Sequence, residues 1–109
     1  MSRGVVIRPK AQAQIDEQAQ YIALDNPHAA RRFLDALQES FQALAELPTL
    51  GRIWESQEKQ LEGVRVWRVK AFEKHHIFCR LTESGIEVLH VLHGARDLPP
   101  ILGTQEGVP

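Results

Sequence analysis

The residues able to do chemistry crowd into one stretch of the chain. Between Arg65 and Arg96 lie six basic residues (Arg65, Arg68, Lys70, Lys74, Arg80 and Arg96) and four of the five histidines (His75, His76, His90 and His93). The stretch closes on the corner His93-Gly94-Ala95-Arg96-Asp97. Imidazoles offer chelation or proton transfer near neutral pH, and clustered guanidinium groups offer anion binding. Spacing removes chelation first. His75 and His76 are neighbours in a β-rich run and must diverge, and His90 and His93 are separated by an odd interval, so neither pair forms a chelate. No metal or other cofactor is expected. Cys79, between Phe78 and Arg80, reads as a small buried apolar side chain, because a nucleophile needs an activating base that the sequence does not reveal. At the corner, Arg96 and Asp97 form either a functional pair or a tie for a loop. The tie is the favoured reading, since an arginine at a strand end commonly bonds carbonyls or a carboxylate.

The bulk properties restrict what this stretch can serve. A chain of 109 residues suits one domain with a single two-layer core, expected over residues 1–102, with a small, polar tail at 103–109 expected to fray. The formal net charge of -1 excludes a protein that holds nucleic acid by an overall positive field. Any such role must rest on a local patch, and the charge is indeed split, with Asp16, Glu17, Asp25, Asp35, Glu39 and Glu46 in the first half. One cysteine allows no intrachain disulfide, no run is long enough for a membrane span, and Met1 to Gly4 carries no export signal. The expected location is the cytoplasm, with no membrane partner.

Positioning the basic stretch requires a scaffold, and its pieces are readable. Val5-Val6-Ile7 is a short strand stopped by Pro9, and Ala11, Ile15, Ala19 and Ile22 then recur on one helical stripe, predicting a helix over about 9–24. Asn26-Pro27 pairs a cap with a favoured first helical residue, and starts a second helix. Ala30, Phe33, Leu34, Leu37, Phe41, Leu44 and Leu47 give that helix a broad stripe before Leu47-Pro48 and Gly51 end it. So short a connection predicts an antiparallel hairpin. Residues 52–62 show neither period and read as a loop with at most one helical turn. After Gly63, "VRVWRVK" (64–70), "HHIFCRL" (75–81) and "IEVLHVLH" (86–93) are β-rich runs joined by short connections at 71–74 and 82–85. The predicted class is α+β in two layers: an N-terminal strand, then a two-helix hairpin packed on a mainly antiparallel sheet that ends in a three-strand meander.

The last strand is apolar on both sides, with Ile86, Val88 and Leu92 assigned to one face and Leu89 and Val91 to the other. Two helices cover one face only. The second is covered either by the chain itself, through Ile53, Trp54 and residues 98–102, or by another protein.

Taken in order, "RPKAQAQIDEQAQYIALDNPHAARRFLDAL", "LAELPTLG", "VRVWRV", "HHIFCRL" and "IEVLHVLHGARDL" resemble the ParE branch of the RelE/ParE toxin superfamily over about residues 5–98. The resemblance implies a toxin of a type II toxin–antitoxin module, held by a cognate antitoxin, alone as a homodimer or within a toxin–antitoxin hetero-oligomer. ParE-like members poison DNA gyrase, whereas RelE-like members cut mRNA on the ribosome. Fold alone does not choose between them.

Cleavage needs a base for the ribose 2′-hydroxyl, cations for the phosphorane and often an aromatic that stacks a base. By the resemblance, Arg68, Lys70, His76 and Arg96 would fill such a catalytic set, with His76 as base. The set is incomplete, since no tyrosine follows Arg96 and the chain's only tyrosine is Tyr21. Cys79 stands where the ParE-like pattern usually has tyrosine, and Arg68 where it often has proline. The expectation is therefore a non-catalytic gyrase inhibitor, with mRNA cleavage as the alternative. Trp54, Arg65, Arg80, Arg96 and Asp97 are the residues expected to face a partner. For Trp54, anchoring an antitoxin and covering the core remain equal readings, while Trp67, sharing a face with Arg65, reads as packing.

Overall fold

A computed structural model describes residues 4–54 and 63–94 of the chain. The elements run β1 (Gly4–Ile7), α1 (Pro9–Asp25), α2 (Pro27–Glu46), a 3-10 turn (Pro48–Leu50), β2 (Arg52–Ile53), β3 (Val64–Val69), β4 (Phe72–Thr82) and β5 (Gly85–His93). The strands form one sheet in the order β1-β5-β4-β3-β2, antiparallel except where β1 lies parallel to β5. This is the expected α+β architecture, with both helices on one side of the sheet.

A single residue makes the helical hairpin. The Asn26 N–H donates to the Ile22 carbonyl and ends α1, while its carbonyl accepts from Ala30 and its side chain accepts from Ala29 N–H at 3.1 Å to open α2. Its extended backbone turns the chain between two helices that could not otherwise be joined so tightly. The hairpin buries Ala11, Ile15, Phe33, Leu37, Phe41 and Leu44 against Val69, Ile77, Cys79, Ile86, Val88 and Val91 of the sheet. Full burial of each large side chain contributes on the order of 1.5–3 kcal/mol, which makes this layer the main source of stability. Leu34 and Leu47, expected on the α2 stripe, are instead 41% and 53% exposed, because a stripe that wide exceeds what one sheet face can cover.

Beyond Ile7, β1 no longer accompanies β5, and α1 takes over the exposed strand edge. Gln14 Oε1 accepts from the Val91 N–H at 3.0 Å, and the buried Gln18 donates from Nε2 to the Val91 carbonyl at 2.6 Å. Two glutamine side chains thus replace the missing strand and satisfy groups that would otherwise be costly to bury.

Several local expectations change. Residues 52 and 53 form the edge strand β2, paired with Arg65 and Val66, and the ladder continues through the Trp54 N–H to the Val64 carbonyl. Two residues are too few for a visible alternation. The strand β4 begins at Phe72, so the connection from β3 is only Lys70-Ala71, with Ala71 at a φ of 70°. A bulge in β5 places Cys79 opposite Val88 and Phe78 opposite His90, leaving Leu89 as the extra residue. Alternation therefore slips by one, Val91 joins the helix-facing core, and Leu89 and Leu92 share the opposite cluster. The assignment of Leu92 to the face of Ile86 and Val88 is thereby overturned. The residues 55–62, 98–102 and 103–109 lie outside the described segments, as do Arg96 and Asp97.

Candidate functional site

The face turned away from the helices carries its own small core, formed by Trp54, Val64, Val66, Phe78, Leu89 and Leu92. Trp54 meets Phe78 edge-on at 5.3 Å between ring centroids and is buried, so the tryptophan covers core in this chain. Ile53 does not share that duty, being 60% exposed. The reason is strand geometry: neighbours on β2 point oppositely, and only Trp54 reaches the cluster.

Beside this core, an open groove of about 460 Å³ runs along β3 where the short β2 stops accompanying it. Leu50, Arg52, Val66, Trp67, Arg68, Val69, Lys70, Glu73 and His76 line it. Three of the sequence candidates, Arg68, Lys70 and His76, are thus brought together. The pairing of Arg68 with His76 across β3 and β4 does this, although the two lie eight positions apart in sequence. Arg52 was missed by sequence reasoning, since nothing marks a two-residue strand. The fourth candidate, Arg96, falls outside the described residues.

His76 is 7% exposed, and its Nδ1 has no hydrogen-bond partner among the described residues. Burial holds its pKa below the ordinary imidazole value, with Arg68, Arg52 and His93 adding repulsion and the Lys74 main chain opposing them. The imidazole is therefore neutral at pH 7, the form in which it accepts a proton or hydrogen bond. Gly94 closes the site from the corner: a Cβ there would lie 2.8 Å from His76 Cε1, so the first residue after the last strand must be glycine for the imidazole to keep its place.

The other candidates are occupied differently. Arg65 faces the helix layer opposite Cys79 and donates from Nη1 to the Gly51 carbonyl at 2.7 Å, bracing the turn before β2. Arg80 is half-buried opposite Glu87. Cys79 is buried, and desolvation, only partly offset by Arg65, pushes its thiol up to about 11, which removes it as a nucleophile at neutral pH. Trp67 packs against the helix-side core. His75 sits on that side too, 4.7 Å from the Phe33 ring and 2.7 Å through Nδ1 from Gln18 Oε1. Tyr21, on α1, is 68% exposed and does not line the groove. No group of three or more possible metal ligands occurs among the described residues. Nor is any helix there long and apolar enough to cross a membrane.

A two-helix hairpin over one face of a five-stranded sheet, with a basic groove along its β3 edge, defines a class of small two-layer proteins, and comparison places the chain within it. The family model for the ParE toxin of the type II toxin–antitoxin system parDE matches residues 5–98. The chain belongs to that ParE toxin family. Among solved structures it is similar to the chromosomal ParDE TA system from P. aeruginosa, with a TM-score of 0.66 and 19% identity over 84% of this chain and 96% of that one. It is also similar to the YoeB-YefM complex from Staphylococcus aureus, with a TM-score of 0.50 and 15% identity over 84% of this chain and 95% of that one. At those identities the likeness is one of fold. No curated protein matches.

Proposed function

We propose that this toxin arrests growth by binding DNA gyrase and trapping its cleaved DNA complex, and that a cognate antitoxin neutralises it by covering the 64–98 meander. The observation that carries the reading is the ParE match over residues 5–98. The groove agrees with it: no tyrosine lines it, and the buried His76 offers a substrate little access. The antitoxin has support in the two similar structures, which are named as a ParDE system and a YoeB-YefM complex. Acidic side chains on such a partner would complement the basic groove rim, and apolar ones the exposed Leu50 and Ile53. In a supercoiling assay, the purified protein should stop gyrase and accumulate broken DNA, while a translation extract is unaffected. A gyrase that neither binds the protein nor loses supercoiling activity would end this reading.

One observation favours a second reading, mRNA cleavage on the ribosome. The groove gathers Arg68, Lys70 and a neutral His76, a base flanked by cations. Ribosome-dependent cuts that vanish in His76→Gln, with the fold intact, would establish it.

A further inference from the structure

We propose that the cavity between α2 and the β3–β4 turn is a docking site for an arginine-bearing segment of a partner protein, whose guanidinium is held by Asp35 and Glu39. This inference stands apart from the choice of toxin target and from the basic groove along β3. The cavity measures about 780 Å³. Its α2 wall carries Arg32, Asp35, Ala36, Glu39, Ser40 and Ala43, whose helical spacing puts them on one stripe. Trp67 and Lys70 of β3 and Phe72 of β4 form the wall opposite. Small side chains at 36, 40 and 43 keep the helix surface low, which leaves the half-buried Trp67 and Phe72 with part of their rings uncovered.

Charge selects the occupant. Asp35 and Glu39 lie four positions apart on one helix face, roughly 6 Å between Cβ atoms, a spacing that one guanidinium can bridge. Among the described residues neither carboxylate makes an ion pair, although Arg32 and Lys70 share the lining. The aromatic wall adds a second preference. A planar guanidinium stacks on a ring face while its fork meets carboxylates, a combination that a lysine ammonium does not match. Phe72 is held in place for this beforehand, edge-on to Phe33 with 5.4 Å between ring centroids. Ser40 supplies an independent observation. It is 7% exposed, the surface it keeps opens on the cavity, and its hydroxyl makes no hydrogen bond to another described residue. A buried polar group so placed is satisfied by a donor or a carbonyl that the ligand brings. The stripe from Arg32 to Ala43 is about 16 Å long, the reach of roughly five extended residues. An open cavity of that length fits a segment of chain, with Arg32 and Lys70 donating to its carbonyls, and encloses too little of a free small molecule.

The test titrates the full chain with the capped peptide Gly-Leu-Arg-Leu-Gly, its citrulline counterpart and free arginine amide, following affinity by calorimetry and the two indole N–H signals by NMR. The arginine peptide should bind and shift the Trp67 signal while the Trp54 signal stays in place. Citrulline keeps the shape and removes the charge, and should weaken binding about tenfold or more. Asp35→Asn and Glu39→Gln, both at exposed helix positions, should each weaken it about tenfold, as expected for loss of a charge-assisted bond. Ser40→Ala, which favours the helix, should weaken it about fivefold. Ala43→Leu, also at an exposed position, fills the cavity floor and should abolish binding with thermal unfolding unchanged. Equal binding of the arginine and citrulline peptides would overturn the proposal by removing the cation. Arginine amide that binds as tightly as the peptide would overturn it in favour of a small molecule. Binding that ignores the Asp35, Glu39 and Ala43 variants, or no binding of the peptide at millimolar concentration, would overturn it as well.

Discussion

The two faces of one sheet do opposite work. Alternate residues of the same strands feed both: Trp67, Val69, Ile77 and Cys79 turn to the helices, while Val66, Arg68, His76 and Phe78 turn away. On the helix side, large apolar side chains interdigitate, and the buried glutamine finds partners at both ends, in His75 and in the Val91 carbonyl. On the other side the core is small, Trp54 Nε1 and His76 Nδ1 lack partners among the described residues, and cations crowd the edge. The contrast teaches that stability is concentrated where helices exclude water. Among the described residues, the unsatisfied polar atoms Trp54 Nε1 and His76 Nδ1 lie on the face that the helices leave uncovered.

That contrast can be broken most sharply by truncating one aromatic on each face. Phe33→Ala, on the helix side, should cost about 3–5 kcal/mol, with Trp54→Ala at or below the bottom of that range because its indole N–H gains nothing from burial. Urea denaturation measures both, and Trp54→Phe should be within about 1 kcal/mol of the parent. Equal losses for Phe33→Ala and Trp54→Ala would erase the distinction.

Next comes the seam between β1 and β5. Gly85 has a φ of 157°, and a Cβ there would run into the Gly4 carbonyl, so Gly85→Ala should unpair the edge and cost more than about 1 kcal/mol. Faster amide exchange confined to residues 4–7 and 85–88 would locate the damage; uniform exchange would not fit a local seam.

A smaller effect follows from the histidines. Gln14 Oε1 accepts from Val91, so its Nε2 donates to His90 Nδ1 at 3.2 Å, and that nitrogen must carry no proton. Burial, then Lys10 and Arg8, lower the His90 pKa, while burial and Arg68 lead the lowering at His76. In the unfolded chain both titrate near about 6.5, so below that pH the unfolded state binds more protons. Their stabilising effect is present in full above about 6.5 and is lost as pH falls through the folded values. Thermal unfolding should therefore drop between pH 7.5 and 5.5, and His90→Gln should reduce the drop. An unchanged slope in that variant would remove His90 from the account. The smallest change is Ala71→Gly, which relieves the positive φ in the β3–β4 turn and should stabilise by up to about 1 kcal/mol.

Much of the scaffold was legible because its signals are local. Asn26-Pro27 specifies both a cap and a start, and the period of Ala11, Ile15, Phe33, Leu37 and Leu44 specifies which helical faces are buried. The basic stretch could be read as a stretch, but not as a site. Whether Arg68 meets His76 depends on how β3 pairs with β4, and Arg52 joins them only through a two-residue strand that leaves no periodic trace. The slip at Leu89 was equally hidden, since a bulge depends on the partner strand and not on the residue itself.

The sequence by itself determined the order of elements, the helical hairpin and the location of positive charge, because capping, periodicity and composition act over a few residues. The tertiary structure alone decided that β1 runs parallel to β5 and that glutamines finish its edge. It also decided that Arg65 braces a turn while Arg52 faces the groove beside His76. These outcomes depend on contacts between residues far apart in the chain, whose pairing is fixed only when the sheet closes under its helices.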